Sequence, residues 1–220
     1  MVHSIAGVQM KTDQFVELLS GDAAPPRTLQ SVLILAGAGG AASAAALFFA
    51  AIGFRPDIAE ALGSPRFLFK FVITLSLAIT ACVAAARFGR PDGQMTRKAF
   101  LLVIAPALLL CSALVELFAL PESQWMPHLV DHNARFCLTL IPLLAIGPLG
   151  CFLAALRHGA PSNPGLAGAI AGLAASGFAA TLYAANCNDD SPLFVVTWYP
   201  MAIVLVSFAG YLIGRRVLRW

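Results

Sequence analysis

Two of the five cysteines, Cys137 and Cys187, are placed to share a site. They lie on either side of the polar turn 157–164, which separates two long apolar segments, and Ala160 in that turn is 23 residues from Cys137 and 27 from Cys187. At 1.5 Å per residue of helix, each sulfur is about 35 to 40 Å from the turn. If the two segments form a membrane hairpin, both thiols therefore lie at the same depth, at the far membrane surface.

Such a pair is compatible with a disulfide, a soft-metal site or an oxidant sensor. A disulfide requires alpha carbons within about 7 Å of each other. A metal site would add His128 and His132, which are four residues apart and share a face if they are helical. Thiol and imidazole ligands suit a Cu or Zn ion. The spacing alone leaves the three readings open.

The composition identifies the setting of this pair as a membrane. The chain is 59% hydrophobic and 11% charged, with a mean hydropathy of +0.81, whereas soluble domains are about 25% charged. The apolar runs are near the 20 residues that a spanning helix needs and lack strand-like alternation. The predicted fold class is an all-α integral membrane bundle of six helices, with spans at roughly 30–53, 67–87, 99–120, 136–156, 165–185 and 195–214.

The basic residues predict the orientation of these spans. Ten of the fourteen Lys and Arg residues fall on the side that holds both termini, and the other side has Arg55, Arg66, Lys70 and Arg135. The positive-inside rule then places both termini in the cytoplasm. The net charge of +3 is a topology signal and indicates no direct nucleic-acid binding. Cys137 and Cys187 are predicted to face the outer surface.

The N-terminal tail, 1–29, is predicted to hold one short amphipathic helix, with 30–220 forming the transmembrane domain. The stretch Met10–Lys11–Thr12–Asp13 looks like a second initiation site, so Met10 is a candidate for the native first residue. The apolar residues recur at helical spacing, and the polar face is acidic, which suits a protein groove better than a lipid surface. The candidate partner-binding residues are Asp13, Phe15, Val16, Glu17, Leu18 and Leu19.

Small residues at four-residue spacing predict close helix packing in two of the spans. Gly168, Gly172 and Ser176 form one such series, and Gly210 and Gly214 form another. The three remaining cysteines fall inside spans, where cysteine is usually a small packing residue.

Catalysis and transport are weaker interpretations. A quinone-linked thiol oxidoreductase relays electrons between two dithiols, and this chain has one outer pair. A transporter is expected to carry a charge near the midplane, whereas Lys70 and Glu116 lie near span ends and are expected to snorkel to the surface. We therefore predict a protein that is not an enzyme, with a small membrane transporter or a quinone-linked thiol oxidoreductase as the alternative.

Several stretches together resemble the NrsF-like family of six-span bacterial membrane anti-sigma factors, named as negative regulators of sigma F. These stretches are Leu156–Arg157–His158–Gly159–Ala160–Pro161, Pro164–Gly165–Leu166–Ala167–Gly168, Leu182–Tyr183–Ala184–Ala185–Asn186–Cys187, Ser191–Pro192–Leu193–Phe194, Trp198–Tyr199 and Leu218–Arg219–Trp220. The resemblance extends from Met10 and covers nearly the whole chain.

The resemblance implies that the cytoplasmic tail sequesters an extracytoplasmic-function sigma factor. It also implies that Cys137 and Cys187 match the family's two characteristic cysteines, which are tied to stress or metal sensing. Family members often have His before the second cysteine, where this chain has Asn186.

The leading hypothesis is a membrane sensor in which a heavy metal or an oxidant acts on the cysteine pair and releases the sigma factor. Asp189 and Asp190 follow Cys187 closely. Their charges are expected to raise the pKa of its thiol and to attract cations, which favours a metal over an oxidant.

Overall fold

The computed structural model describes residues 28–91, 97–130 and 133–219, with the backbone alone given for 97–99. The N-terminal candidate residues and His132 lie outside these ranges. Within them the chain forms eight α-helices: α1 Leu29–Ala51, α2 Ile58–Ala61, α3 Pro65–Phe88, α4 Ile104–Ala119, α5 Trp125–Leu129, α6 Ala134–Leu156, α7 Pro164–Ala184 and α8 Pro192–Val217. A 3-10 helix, Arg97–Val103, leads into α4, and a second, Glu122–Gln124, leads into α5.

Six of these helices are long and apolar enough to cross a membrane: α1, α3, α4 with the end of its 3-10 turn, α6, α7 and α8. Each overlaps one predicted span and ends within three residues of it. The six-helix all-α prediction is therefore confirmed.

The helix starts are specified by local sequence. The Thr28 hydroxyl accepts a hydrogen bond from the Ser31 amide at 3.3 Å, and the Asn163 side chain accepts one from the Leu166 amide at 3.0 Å. These caps satisfy amides that have no partner within the helix. Proline stands in the first turn of α3, α7 and α8, where its missing N–H costs nothing.

The most buried of the six long helices is α7, because its small residues let two neighbours approach closely. A methyl group added at Gly168 would overlap the backbone of Gly210 and Gly214 on α8. On another face, Gly177 lies against the backbone of Ala78 on α3. The prediction of close packing through glycine is confirmed.

A second close pair of helices joins α1 to α6. A methyl group added at Gly40 would lie 3.0 Å from the Pro148 alpha carbon, and Gly147 faces the Ser43 side chain. Large apolar side chains on the outside of the bundle are exposed, Phe118 to 90% and Phe100 to 74%. This is the surface that lipid covers in a membrane protein.

The two ends of the bundle differ in what lies on them. The cysteine end comprises the connections 52–64, 120–130 and 185–191. The terminal end comprises 89–91, 157–163 and the first and last described residues, Thr28 and Arg219. At the terminal end the connections meet through the Ala160 amide, which donates to the Gly89 carbonyl oxygen at 3.1 Å.

Candidate functional site

The two candidate thiols are brought together beneath the cysteine end. Cys137 lies in the first turn of α6, and its amide donates to the Asn133 carbonyl oxygen at 2.9 Å. Cys187 follows α7, and its amide donates to the Tyr183 carbonyl oxygen at 2.9 Å, which extends the helix by a turn. The two thiols are close enough to interact with each other. Both are free cysteines.

The thiols are buried within the cysteine end rather than accessible at its surface. Cys137 is 0% exposed and Cys187 is 1% exposed, and both belong to the main apolar core. The connection after α7 folds back over them, an arrangement that the positions of the spans alone do not predict.

Two buried tyrosines lie close to the two thiols. Tyr183 and Tyr199 are each 1% exposed, and their ring centroids are 6.0 Å apart. Both phenols interact electrostatically with both thiols. The Tyr199 hydroxyl has no hydrogen-bond partner among the described residues. Sequence reasoning missed these residues, although Tyr183 precedes Cys187 by four positions, which is one helical turn.

Lys70 of α3 binds the connection 185–191, which contains Cys187 and is called the Cys187 connection below. Its ammonium nitrogen donates to the carbonyl oxygens of Cys187 at 2.9 Å and Asp189 at 3.1 Å, and lies 2.6 Å from Asp190 Oδ1. The residue is 2% exposed. The expectation that Lys70 snorkels to the surface was wrong, because the connection brings three oxygen acceptors to the nitrogen.

Arg55 also binds the Cys187 connection. Its guanidinium donates to both carboxylate oxygens of Asp57 at 2.7 Å. It also donates to Asp190 Oδ2 at 3.1 Å and to the Cys187 carbonyl oxygen at 3.3 Å. Arg55 and Lys70 both lie over the buried Phe67 ring, at 5.6 and 5.4 Å from its centroid. The two carboxylates raise the pKa of Arg55 above its ordinary value, with Asp57 the larger cause.

Further hydrogen bonds attach the Cys187 connection to its neighbours. The Asn186 side chain donates to the Gly53 carbonyl oxygen at 3.0 Å, and the Arg55 amide donates to the Ala185 carbonyl oxygen at 3.2 Å. The Asn133 side chain, one turn before Cys137, donates to Asp189 Oδ2 at 2.9 Å. The connection is therefore bonded to the first loop, to α3 and to the start of α6.

Glu116 is the second ionisable residue that was expected to snorkel, and this expectation was also wrong. It is 3% exposed, and its Oε2 accepts hydrogen bonds from the Ser191 hydroxyl at 2.7 Å and the Leu193 amide at 2.9 Å. Its Oε1 lies 3.4 Å from the half-exposed Arg66 guanidinium. Glu116 of α4 thus caps α8, where the helix dipole favours a negative charge.

The electrostatics of Cys187 differ from the sequence expectation. The Asp189 carboxylate and burial do raise the pKa of this thiol, but the balance lowers it to about 7. The largest cause is the Cys137 thiol, followed by the positive charge of Lys70 and a backbone hydrogen bond at Asp189. Asp190, which was expected to raise this pKa, is paired with Lys70 and Arg55.

Among the described residues, no histidine forms a metal-binding group with the two thiols. His128 is half-buried and lines a cavity of about 280 Å³ with Arg66, Asn188 and Asp190. In the described ranges no group of three or more His, Cys, Asp or Glu side chains is arranged to hold a metal ion. The donors that the described part of the chain brings together at the candidate site are the two thiols.

Fold and site together define a helical membrane protein of six long apolar helices, with a dithiol buried beneath a charged cluster at one end. The model of the family described as "Negative regulator of sigma F", NrsF, matches residues 19–220. The chain belongs to this family, as the sequence resemblance indicated.

Two relatives match along nearly the whole chain. The "Anti-sigma-F factor NrsF" of Caulobacter vibrioides is 32% identical over 218 residues, which cover 96% of this chain and 100% of the relative. The "Probable anti-sigma-F factor NrsF" of Azospira oryzae is 29% identical over 217 residues, with the same coverage. Both names describe regulators rather than enzymes. No solved structure matches.

Proposed function

We propose that this chain is a membrane anti-sigma factor that holds an extracytoplasmic-function sigma factor on its cytoplasmic tail and releases it when Cys137 and Cys187 react. The family and the names of the two relatives support the anti-sigma role. The observation that carries the sensing role is the pair of free and buried thiols at the end of the bundle opposite the tail.

The orientation follows from charge. Ten basic residues fall on the side of the termini and four on the side of the cysteines. By the positive-inside rule the tail then lies in the cytoplasm and the thiols beneath the outer face of the inner membrane.

The packing of α6 against α1 connects the thiols with the N-terminal tail. Cys137 lies on α6, and α6 contacts α1 through Gly40 and Pro148. The tail leads directly into α1 at Thr28. A shift of α6 when the thiols react would therefore move the helix that carries the binding segment, provided that the bundle has two packings.

The signal is an agent that bridges the two sulfurs. Two thiolates suit a soft ion such as Cu(I), whereas a zinc site usually has four ligands. Alternatively, hydrogen peroxide takes two electrons from the thiols: the S–S bond forms, the O–O bond breaks, and the two oxygens leave as two waters that carry the thiol protons. Both reactions proceed through the thiolate.

The sensing role is tested with single serine variants and a reporter of the sigma factor. Cys137→Ser and Cys187→Ser are expected to abolish induction by copper and by peroxide, while Cys111→Ser, an exposed cysteine of α4, is the matched control. Normal induction in both variants of the pair would contradict the sensing role. Loss of the alkylation mass shift at both cysteines after peroxide treatment indicates the oxidant, and stoichiometric copper binding to the reduced protein indicates the metal.

The tail is tested by deletion of residues 11–22. The variant is expected to stay in the membrane and to lose copurification with the sigma factor. Continued copurification would exclude the segment with Asp13, Phe15, Val16, Glu17, Leu18 and Leu19 as the binding site.

A further inference from the structure

Arg135 differs from the other basic residues on the side of the cysteine end. Each of the other three has a carboxylate partner among the described residues: Arg55 pairs with Asp57 and Asp190, Lys70 with Asp190, and Arg66 with Glu116. No carboxylate in the described ranges forms an ion pair with Arg135, whose side chain is exposed. This is also the side with fewer basic residues, so the positive-inside rule does not account for a cation here.

Arg135 lines a groove between the connection 120–130 and the helices α6 and α8. The volume of the groove is about 1150 Å³. Its wall is mostly apolar, with Val130, Phe136, Leu138 and Trp198 among its side chains. Val130 and Phe136 are more than half exposed, so the groove opens to the surroundings of the bundle. Among the described residues of the wall, Arg135 is the charged one.

The other polar side chains of the groove are already bonded. The Trp198 indole N–H donates to the Leu129 carbonyl oxygen at 2.8 Å, which fixes the ring between α8 and α5. The Thr139 hydroxyl donates to the Arg135 carbonyl oxygen at 3.0 Å, within its own helix. Of the side chains that line the groove in the described ranges, the Arg135 guanidinium is therefore the hydrogen-bond donor that remains for a ligand.

The position of the groove along α6 indicates its depth in a membrane. The 23 residues of α6 are about 35 Å long, slightly more than the hydrocarbon core of about 30 Å. Arg135, the second residue of α6, therefore lies at the level of the lipid headgroups, and Leu138 lies nearly one turn deeper. Tryptophan is enriched at headgroup depth, which agrees with Trp198 in the wall. A ligand of the groove thus meets a cation at headgroup depth and apolar side chains below it.

We infer that the groove binds a glycerophospholipid of the leaflet on the cysteine side. The phosphate binds the Arg135 guanidinium, whose planar fork matches phosphate oxygens. One acyl chain lies along Leu138 and Trp198. A soluble anion would use the guanidinium alone, whereas a phospholipid uses the apolar wall as well. The lipid packs against the turn of α6 that carries Cys137, but the inference does not depend on a sensing role of that thiol.

The test is lipid binding to the full-length protein in detergent, measured by native mass spectrometry. The probes are phosphatidylglycerol and diacylglycerol with the same acyl chains, so that they differ by the phosphate headgroup. The parent protein is expected to bind phosphatidylglycerol at least about tenfold more tightly, because of the hydrogen bonds between guanidinium and phosphate. In Arg135→Gln the affinity for phosphatidylglycerol is expected to fall to that for diacylglycerol. An unchanged affinity for diacylglycerol shows that this variant is folded.

Two further variants serve as controls. Arg66→Gln removes another cation on the same side, one that is paired with Glu116, and is expected to leave both affinities unchanged. Thr139→Trp keeps Arg135 but fills the apolar part of the groove, and is expected to weaken the binding of both lipids.

Three outcomes would overturn the inference. Equal affinity for phosphatidylglycerol in the parent protein and in Arg135→Gln shows that the guanidinium does not bind the headgroup. Binding of inorganic phosphate at Arg135, without discrimination between the two lipids, assigns the residue to a soluble anion. A dimer that is lost in Thr139→Trp, with lipid binding unchanged, assigns the groove to a second copy of the chain.

Discussion

The two ends of the α7–α8 pair are held together by different kinds of contact. Toward the terminal end, Gly168 and Gly214 bring the two helix backbones together with no side chain between them. At the cysteine end, the connection between the same helices is held by Lys70, Arg55 and Asn186 through hydrogen bonds and ion pairs. One end depends on shape and the other on charge.

The difference indicates where the molecule can respond to chemistry. Backbone contacts through glycine contain no group that titrates, oxidises or binds a metal. The cysteine end has two thiols among charged groups, so a change of charge or bonding there alters the contacts that hold the connection. We therefore expect the cysteine end to respond to its surroundings and the glycine contacts to set basal stability.

The largest effect is expected at the glycine contact. In Gly168→Leu the new side chain would overlap the backbone of Gly210 and Gly214, and we expect a loss of about 3 kcal/mol in stability. Thermal unfolding in detergent measures it. The matched control is Gly150→Leu on α6, where an added methyl group meets no atom within 4 Å. Equal losses of stability in both variants would contradict the conclusion that the close approach of the two helix backbones at Gly168 stabilises the protein.

The next effect is expected at the cap of α8. Glu116→Ala removes two hydrogen bonds and an ion pair, with a loss of about 2 kcal/mol. The Ser191 hydroxyl, 3.2 Å from the Leu193 amide, limits this loss because it caps the helix as well. Glu122→Ala, an exposed glutamate at the same end, is the comparison in the same unfolding measurement, and a similar shift there would count against a specific cap.

A smaller effect is expected from the amide that joins two connections. Asn186→Ala removes the bond to the Gly53 carbonyl oxygen and is expected to cost about 1 kcal/mol. Asn188→Ala, two residues later and exposed, is expected to change little. The same pair sharpens the comparison in a second measurement: loosening the connection is expected to speed alkylation of Cys187 in Asn186→Ala and not in Asn188→Ala.

The smallest effect concerns pH. Arg55 lowers the pKa of Asp57 below its ordinary value of 3.8, chiefly through a side-chain hydrogen bond. A carboxylate with a lowered pKa stabilises the fold above that ordinary value, and the stabilisation is lost as the pH falls through the lower folded value. Between about pH 6 and about pH 3, Asp57→Asn is therefore expected to lose slightly less thermal stability than the parent protein. Glu60→Gln, on α2, is the control, and identical pH dependence in Asp57→Asn and the parent would exclude this contribution.

Helix positions were predictable from sequence because hydrophobic length is a local property. Six apolar runs correspond to six long helices, and glycine spacing identified the faces that touch. The Arg55–Asp57 pair is predictable for the same reason, since only Pro56 separates its two members in the sequence.

The interior of the site was not predictable in this way. Lys70 and Glu116 were expected to reach water, and both instead meet partners far along the chain, in the connection 185–191 and at the start of α8. The spacing of Cys137 and Cys187 predicted that they lie at similar depth. It did not predict that both thiols are buried, because that depends on the path of the connection 185–191. Nothing local to Tyr199 indicates that its hydroxyl lies beside them.

The buried lysine also has a consequence for the biogenesis of the protein. Lys70 enters the membrane with α3, whereas Cys187, whose carbonyl oxygen it binds, is synthesised 117 residues later. Until then the ammonium has no partner from that connection, and an α3 inserted on its own must keep it near the lipid headgroups. Completion of the last hairpin therefore allows α3 to settle deeper, so that a truncated chain differs from the full-length protein in the depth of its second span.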